Sequence, residues 1–340
     1  MTPFPPTDLP FVCFGELLLR LAAPPGELLL QSPHLRTWLA GAEANVAISL
    51  ARLGHPVRMV SVVPDQPLGR YAADTLRFHG VDTAAVRSAP GRMGLYFLTP
   101  GAVDRPAEII YDRAGSAFAD FPAARYDWER LLAGAGWLHV SGVTVAVSAA
   151  AGAAALTAVR AARRLGVRVS FDGNYRASMW AARGEDGAAL LADIVAEADL
   201  AFIDRRDVAL LLARPELSEA PPEQAAEAAF ARFPRLRLIA ATRRSQDSAN
   251  HHALSATLRT RDGVFDAPGR NMFDVVDRIG AGDAFAAGVL LGVARGWDSG
   301  ETARFALAAA CSKHSLAGDA HVLSEAQIRQ AMDGGLDVRR

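Results

Sequence analysis

Near its C-terminal end the chain reads Asp277-Arg278-Ile279-Gly280-Ala281-Gly282-Asp283-Ala284-Phe285-Ala286-Ala287-Gly288, a small-residue turn running into an apolar segment with one early carboxylate. That order of residues suits phosphate chemistry. Gly280 and Gly282 have no Cβ, so the backbone can adopt unusual φ/ψ and let a bulky anion approach its N–H groups. A helix following the turn adds unpaired N–H donors and the positive end of its dipole at the same place. Asp283 has two readings there. It is an ordinary first-turn acid that satisfies orphan donors, or it is a general base beside a phosphate cradle, taking a proton from an attacking hydroxyl.

A second small-residue turn lies near the other end, Ala40-Gly41-Ala42-Glu43-Ala44-Asn45-Val46-Ala47, followed by Ala51-Arg52-Leu53-Gly54. Together the two segments resemble the paired signatures of the ribokinase-like (PfkB) sugar kinases, whose C-terminal pattern is Asp-Thr-x-Gly-Ala-Gly-Asp-x-Phe. Two signatures in the right order are far more specific than either alone, and the resemblance covers nearly the whole chain. It implies a three-layer α/β/α body with a central, mostly parallel sheet and a small β-sheet lid. It also implies ATP with its γ-phosphate over Gly280, Ala281 and Gly282, Asp283 as the catalytic base, and Mg²⁺ delivered with the nucleotide. Gly41 and Asn45 are then expected at the floor of the sugar pocket.

Four further segments are similar to those of 2-keto-3-deoxygluconate kinases: Gly94-Leu95-Tyr96, Tyr111-Asp112-Arg113-Ala114-Gly115-Ser116-Ala117, His139-Val140-Ser141-Gly142-Val143-Thr144 and Asp172-Gly173-Asn174-Tyr175-Arg176. A keto sugar acid carries a carboxylate, which a planar guanidinium can grip bidentately. Arg113 and Arg176 are the candidates, Arg176 lying beyond a strand's carboxyl end, where ligands collect in open α/β sheets. Each has a plainer alternative, a surface arginine paired with an acid or a solvated lid arginine. Tyr96 and Tyr111 offer hydroxyls and flat faces to a sugar or serve as packing. Glu16, ending the first apolar run, is either an acid that chelates sugar hydroxyls or a strand cap.

Two places depart from the family pattern. Relatives carry Asn-x-x-Glu near the metal, whereas this chain has Asp204-Arg205-Arg206-Asp207, so Asp204 and Asp207 are the expected metal-side carboxylates, Asp204 also bordering the nucleotide. Relatives carry a glycine-containing turn against the nucleotide, whereas this chain has Thr242-Arg243-Arg244-Ser245-Gln246-Asp247-Ser248. Thr242 and Arg243 are the expected nucleotide contacts there, with Arg243 or Arg244 supplying charge in place of backbone, or the segment is an exposed basic loop. The adenine pocket is expected between Ala267–Val275 and a helix over Thr302–Ser315.

Composition agrees with a small-molecule enzyme. A formal net charge of −1 with 21% charged residues provides no basic field for nucleic acid or anionic membrane. The two cysteines, Cys13 and Cys311, lie in apolar runs and read as buried small hydrophobes, not a disulfide framework or metal site. Four prolines within Met1–Pro10 and no basic stretch before an apolar one argue against a secretory signal, and cytoplasmic residence is expected. Val143–Val159, the richest apolar stretch, is Ala-dominated and reads as an amphipathic helix, not a membrane span.

The elements that must position these residues follow from periodicity. Short β-branched runs at Val57–Val63, Gly136–Val140, Val167–Phe171, Leu200–Ile203 and Leu236–Ala241 alternate with helical segments at Ala44–Leu53, Ser148–Leu165, Gly187–Ala198, Pro222–Arg232 and Ala281–Arg295. Glu16–Trp38 and Gly91–Ala119 break that rhythm and read as extended lid segments or as irregular loops. The chain is therefore expected to be one domain over residues 1–340 with lid segments near 16–38 and 91–119. An exposed lid edge also offers a pairing surface for a second copy, a homo-oligomer. The activity expected is phosphorylation of the 6-hydroxyl of 2-keto-3-deoxygluconate by ATP. A neutral-sugar kinase such as a fructokinase, and a non-catalytic sugar-binding regulator on the same scaffold, are the alternatives.

Overall fold

Alternate residues of one short strand belong to two different cores. Phe11 and Cys13 pack into one buried cluster and Val12 and Phe14 into another, all four fully buried. A strand covered on both faces reads as an unbroken apolar run, as Phe11–Phe14 does. The computed structural model describes residues 3–334.

The chain begins with β1 (Phe11–Phe14), β2 (Leu18–Ala22), β3 (Arg36–Ala40), α1 (Ala42–Arg52), β4 (Val57–Pro64) and α2 (Pro67–Phe78). Next come β5 (Val86–Ala89), β6 (Gly94–Thr99), β7 (Glu108–Asp112), α3 (Trp128–Leu132), β8 (Trp137–Ser141), α4 (Gly142–Val147) and α5 (Ala149–Arg164). The middle holds β9 (Arg168–Asp172), α6 (Ala177–Ala182), α7 (Ala188–Val195), β10 (Leu200–Phe202), α8 (Arg205–Leu211) and α9 (Pro222–Arg232). Finally come β11 (Leu238–Gln246), β12 (His252–Thr260), β13 (Val264–Met272), α10 (Ala281–Arg295), α11 (Ser299–Lys313) and α12 (Glu325–Asp333).

Nine strands form one sheet in the order β13-β12-β11-β10-β9-β8-β1-β4-β5, parallel from β5 to β11 and antiparallel across β11, β12 and β13. One core lies between this sheet and α1, α2, α10, α11 and α12, the other between the sheet and α3 to α9. The result is the expected three-layer body. The second sheet, β3-β2-β6-β7, is built from the two segments read as a lid. Its buried face, with Leu18, Ala22, Ala40, Tyr96 and Leu98, packs against Ile279 in the glycine turn. No helix among the described residues is long and apolar enough to cross a membrane.

Two boundaries differ from the sequence reading. Val143–Val159 is not one helix: the chain breaks at Ser148, whose extended backbone ends α4 and whose hydroxyl accepts the Ala151 N–H at 3.1 Å to start α5. Serine caps a helix because its side chain replaces a missing carbonyl acceptor. Likewise Thr242–Gln246 is not a turn but the second half of β11, paired residue by residue with His252–Ala256 in a hairpin.

Helix α10 carries the glycine turn at its N-terminus, and small residues fix its place. A Cβ on Gly288 would sit 2.6 Å from Ala306 Cα in α11, closer than side chains tolerate. We expect Gly288→Val to cost about 1–3 kcal/mol by overpacking this helix pair. A lowered denaturant midpoint would show it, whereas an unchanged midpoint would mean that the two helices slide apart freely.

Candidate active site

The turn before α10 is shaped by one residue. Gly280 has φ +81°, a left-handed conformation, and a Cβ there would meet the Asp319 carbonyl at 1.8 Å. Only glycine fits. Gly282 is different, because a Cβ there would touch nothing within 4 Å. The protein itself gives no steric reason for a glycine at that position, and the exposed backbone is open to a ligand. No side chain caps α10. The Ala281 N–H donates to the Arg278 carbonyl at 3.3 Å, and the next N–H groups and the positive helix end are left uncovered, the arrangement that binds phosphate.

Asp283 lies in this first turn and is half-buried. Asn45 Nδ2, from α1, donates to its Oδ2 at 2.7 Å, bringing the two signature segments into contact. Asn45 Oδ1 is buried and has no hydrogen-bond partner among the described residues. An orphan acceptor beside a carboxylate is suited to a sugar hydroxyl. Burial pushes the Asp283 carboxyl up to about 7; the Asn45 hydrogen bond and the Arg176 charge pull it down, while Asp319 and Glu43 push it further up.

The carboxyl ends of β8, β9 and β10 supply the neighbours. Asp172 ends β9, and burial first, then Asp283 and Asp207, hold its carboxyl well above the usual carboxylate range. Glu43, fully buried, accepts both the N–H and the hydroxyl of Ser141 at 2.8 Å, and burial raises its pKa. Arg176 faces these acids, lowering the pKa of Asp172, Asp207 and Asp283. Its Nη1 donates to the Tyr175 carbonyl at 3.1 Å, and among the described residues it makes no ion pair. The adjoining turn is strained: Asn174 has φ +36° without being glycine.

Several expected site residues have protein partners of their own. Arg113 is neither solvated nor unpaired: it is 7% exposed, and its Nε donates to Glu16 Oε2 at 2.6 Å. Glu16, which Ser116 also meets at 2.5 Å, is thus a buried ion-pair partner more than a strand cap. Gly41, with φ +142°, is held by packing, since its Cβ would lie 2.4 Å from the Glu16 carbonyl. Tyr96 and Tyr111 sit opposite each other on β6 and β7, and the Tyr96 hydroxyl donates to Asp319 at 2.6 Å. Asp319 and Asp277 both accept from Arg20 Nη1, at 3.0 and 2.6 Å.

Asp204 and Asp207 form a capping box at the start of α8. The Asp204 carboxylate accepts the N–H groups of Arg206 and Asp207 and pairs with the Arg206 guanidinium at 2.7 Å, so its oxygens are taken. Burial pushes Asp207 up to about 6. Among the described residues no group of three or more His, Cys, Asp or Glu could hold a metal ion. Mg²⁺ bound with nucleotide does not need one, since it keeps its waters and takes one or two carboxylates plus phosphate oxygens. Asp207 and Asp172 fit that donor set; Asp204 does not.

At the nucleotide side, strand alternation decides between two arginines. Thr242, Arg243 and Arg244 are all exposed on β11. Arg244, on the face opposite Arg243 and shared with Thr242, feels a second guanidinium: partial desolvation and the Arg278 charge lower its pKa. Neither Arg244 nor Arg278 has an acidic partner among the described residues, and Arg278 reaches only Gln246 Oε1 at 3.5 Å. His252 is buried, and burial first, then the Arg244 and Arg278 charges, lower its pKa. Two guanidiniums that feel each other's charge without an acidic partner, Arg278 standing two residues before Gly280, suit an anion.

Known proteins resemble the chain along most of its length. The profile of the family described as pfkB family carbohydrate kinase matches residues 10–324. The chain belongs to that family. This PfkB kinase is 30% identical to 2-dehydro-3-deoxygalactonokinase of Haloferax volcanii, covering 95% of this chain and 96% of the relative. It is also 30% identical to 2-dehydro-3-deoxygluconokinase of Bacillus subtilis, covering 84% and 83%. The crystal structure of 2-dehydro-3-deoxygluconokinase from Thermotoga maritima superimposes with a TM-score of 0.90 at 33% identity, covering 96% and 100% of the two chains. The PfkB kinase is thus an ATP-dependent carbohydrate kinase of ribokinase-like fold.

Sequence reasoning did not single out Asp319, Arg20, Asp172 or Arg278 as site residues. Asp172 and Arg278 stood inside the quoted motifs. Arg20 and Asp319 carry no local signal.

If Asp283 must be a carboxylate to accept a proton, kcat/KM should rise with pH through about 7 and level off above it. Asp283→Asn should lower kcat roughly 100-fold or more, the scale for losing a positioned base. A pH profile flat from 5.5 to 8.5, or near-normal turnover in the variant, would remove Asp283 from that role.

Proposed function

We propose that the enzyme transfers the γ-phosphate of ATP to the 6-hydroxyl of 2-keto-3-deoxygluconate, giving the 6-phosphate. The observation that carries the sugar-acid reading is Arg176, a half-buried guanidinium without an ion-pair partner, facing the carboxylates around Asp283. A substrate carboxylate would complete its charge balance and accept a bidentate pair of N–H groups. The names borne by the relatives support the same class of acceptor.

In this reading Asp283 takes the 6-hydroxyl proton as the oxygen attacks the γ-phosphorus and ADP leaves. The amides at Gly280, Ala281, Gly282 and Asp283 face the charge on the transferring phosphoryl group, so catalysis is mainly positioning and electrostatics. Asn45 Oδ1 and the backbone at Gly41 line the sugar floor, and Tyr111 and the Tyr96 ring cover it from the second sheet, which serves as the lid of a single unit spanning 1–340. Arg113, neutralised by Glu16, supports the lid side of the pocket and adds its remaining N–H groups to the sugar acid. Asp207 and Asp172 would order the waters of a Mg²⁺ delivered with the nucleotide, which would offset phosphate charge. Arg244 and Arg278 take the nucleotide phosphates, the part assigned on sequence to Thr242 and Arg243.

Two experiments test these assignments. In an ATP-consumption assay the enzyme should prefer 2-keto-3-deoxygluconate or its galactose-derived epimer to fructose, ribose and gluconate. Arg176→Ala should cut kcat/KM for the keto acid about 10- to 100-fold, the worth of a charged hydrogen-bond pair, while leaving a neutral sugar much less affected. Equal losses on both substrates would reject the carboxylate grip. Separately, Arg244→Ala should raise the KM for ATP about tenfold, a value in the range of one charge-assisted contact, while Arg243→Ala changes it less than about twofold. The reverse ranking would return the contact to Arg243.

A further inference from the structure

Lys313 ends α11 and is fully buried, with 0% of its surface exposed. A lysine is almost never buried to that degree unless paired. Among the described residues no acid lies within ion-pair distance of its Nζ. Instead the ammonium donates to two backbone carbonyls, Leu316 at 2.8 Å and Asp277 at 3.3 Å. Those carbonyls belong to the two segments that meet at Gly280. Asp277 opens the glycine turn, and Leu316 stands in the loop leading to Asp319, whose carbonyl closes on Gly280. The same segments are laced again where Val276 and Asp277 N–H groups donate to the His314 carbonyl at 2.9 and 3.3 Å.

We propose that Lys313 is a positioning residue for phosphoryl transfer. Its ammonium draws the Asp277 and Leu316 carbonyls inward, which leaves the N–H groups of the turn directed outward, and it sets a fixed positive charge behind them. This rests on the placement of the γ-phosphate over Gly280–Asp283. A charge built into the protein needs no reorganisation when negative charge shifts during transfer, and in a water-poor site it acts strongly. A donor that merely satisfied two carbonyls would need no charge, so a neutral amide separates the two roles.

The charged groups that face Lys313 come from several elements. Burial lowers its pKa first of all; Asp277, Asp319 and Asp283 favour the ammonium, and Arg20 opposes it. His314 and His321 are both shifted down, burial first, with Lys313 contributing, so both are neutral neighbours at pH 8. Tyr96 is raised well above 10 and Arg20 above its ordinary value, so neither loses a proton before Lys313 does.

The test uses whichever sugar the wild-type enzyme phosphorylates best, so that an error about the acceptor leaves it intact. Lys313→Gln, which keeps a donor and loses the charge, should lower kcat about tenfold or more while the sugar KM stays within about threefold. A kcat within twofold of wild type in folded Lys313→Gln overturns the proposal. Should that variant fail to fold, the wild type decides: its kcat should fall on an alkaline limb below the ordinary lysine value of 10.5, and a kcat level up to that pH overturns the proposal equally. Asp283→Asn run alongside separates the two readings, since full turnover there removes the phosphate placement itself, whatever Lys313 does.

Discussion

The closing of the Gly280 turn on the Asp319 carbonyl fixes the rest of the site. With a Cβ excluded there by 1.8 Å geometry, the chain enters α10 from a left-handed residue, and the first amides of the helix face open space. The Asp319 side chain is held in turn by Arg20 from β2 and Tyr96 from β6. The second sheet, the turn and the segment after α11 therefore share one buried set of charges. Removing one partner of a buried ion pair typically costs about 3–5 kcal/mol, so the second sheet and the phosphate turn cannot shift apart cheaply. Arg20 additionally stacks on Trp38, 4.8 Å from its ring, which ties β3 to the same cluster.

Charge is distributed unevenly around this frame. Away from the pocket, arginines and acids are paired, as in Arg295–Glu325 and Arg329–Glu301 at the surface. At the pocket the pairing fails in two directions. Asp172, Asp207, Asp283 and Glu43 crowd one side, where Arg176 opposes three of them; burial raises all four, and Asp172 and Asp283 rise further because of other acids in the group. A few residues away Arg244 and Arg278 face each other without an acid. Such imbalances are destabilising in the empty protein, and a cation with nucleotide on one side and phosphates on the other would relieve both.

How much of this was legible in the sequence depends on distance along the chain. The glycine turn with Asp283 could be read because every part of it is local: two glycines, an acid and the apolar helix that follows. The parallel strands could be read because burial on both faces leaves unbroken β-branched runs. The end of β11 could not, since Thr242–Gln246 is polar and exposed; it is held as strand by the hairpin with β12, not by its own composition. Ser148 carried a capping signal, but a serine in an Ala-rich run is also a tolerable helix residue. Glu16 with Arg113 and Arg20 with Asp319 are beyond such reading altogether. Each pair joins segments far apart in sequence, and a lone charged residue in a strand pattern says nothing about which distant acid or base will neutralise it.

The nucleotide side shows a substitution of one kind of recognition for another. A glycine turn recognises phosphate with backbone amides, which are short-ranged, directional and insensitive to salt. Here that turn is replaced by a continuing strand, and strand alternation puts Arg244 on the face opposite Arg243, where it feels the Arg278 charge. Guanidiniums reach farther, tolerate more positions of the polyphosphate and attract it before contact, but their pull on exposed charge weakens as the Debye length contracts to about 10 Å at 0.1 M salt. The amides of α10 are not screened in this way, because they act at hydrogen-bond distance. On the proposed assignments, capture of the nucleotide would be the more salt-dependent step and transfer of the phosphoryl group the less salt-dependent one, because one anion site would be built of side chains and the other of backbone.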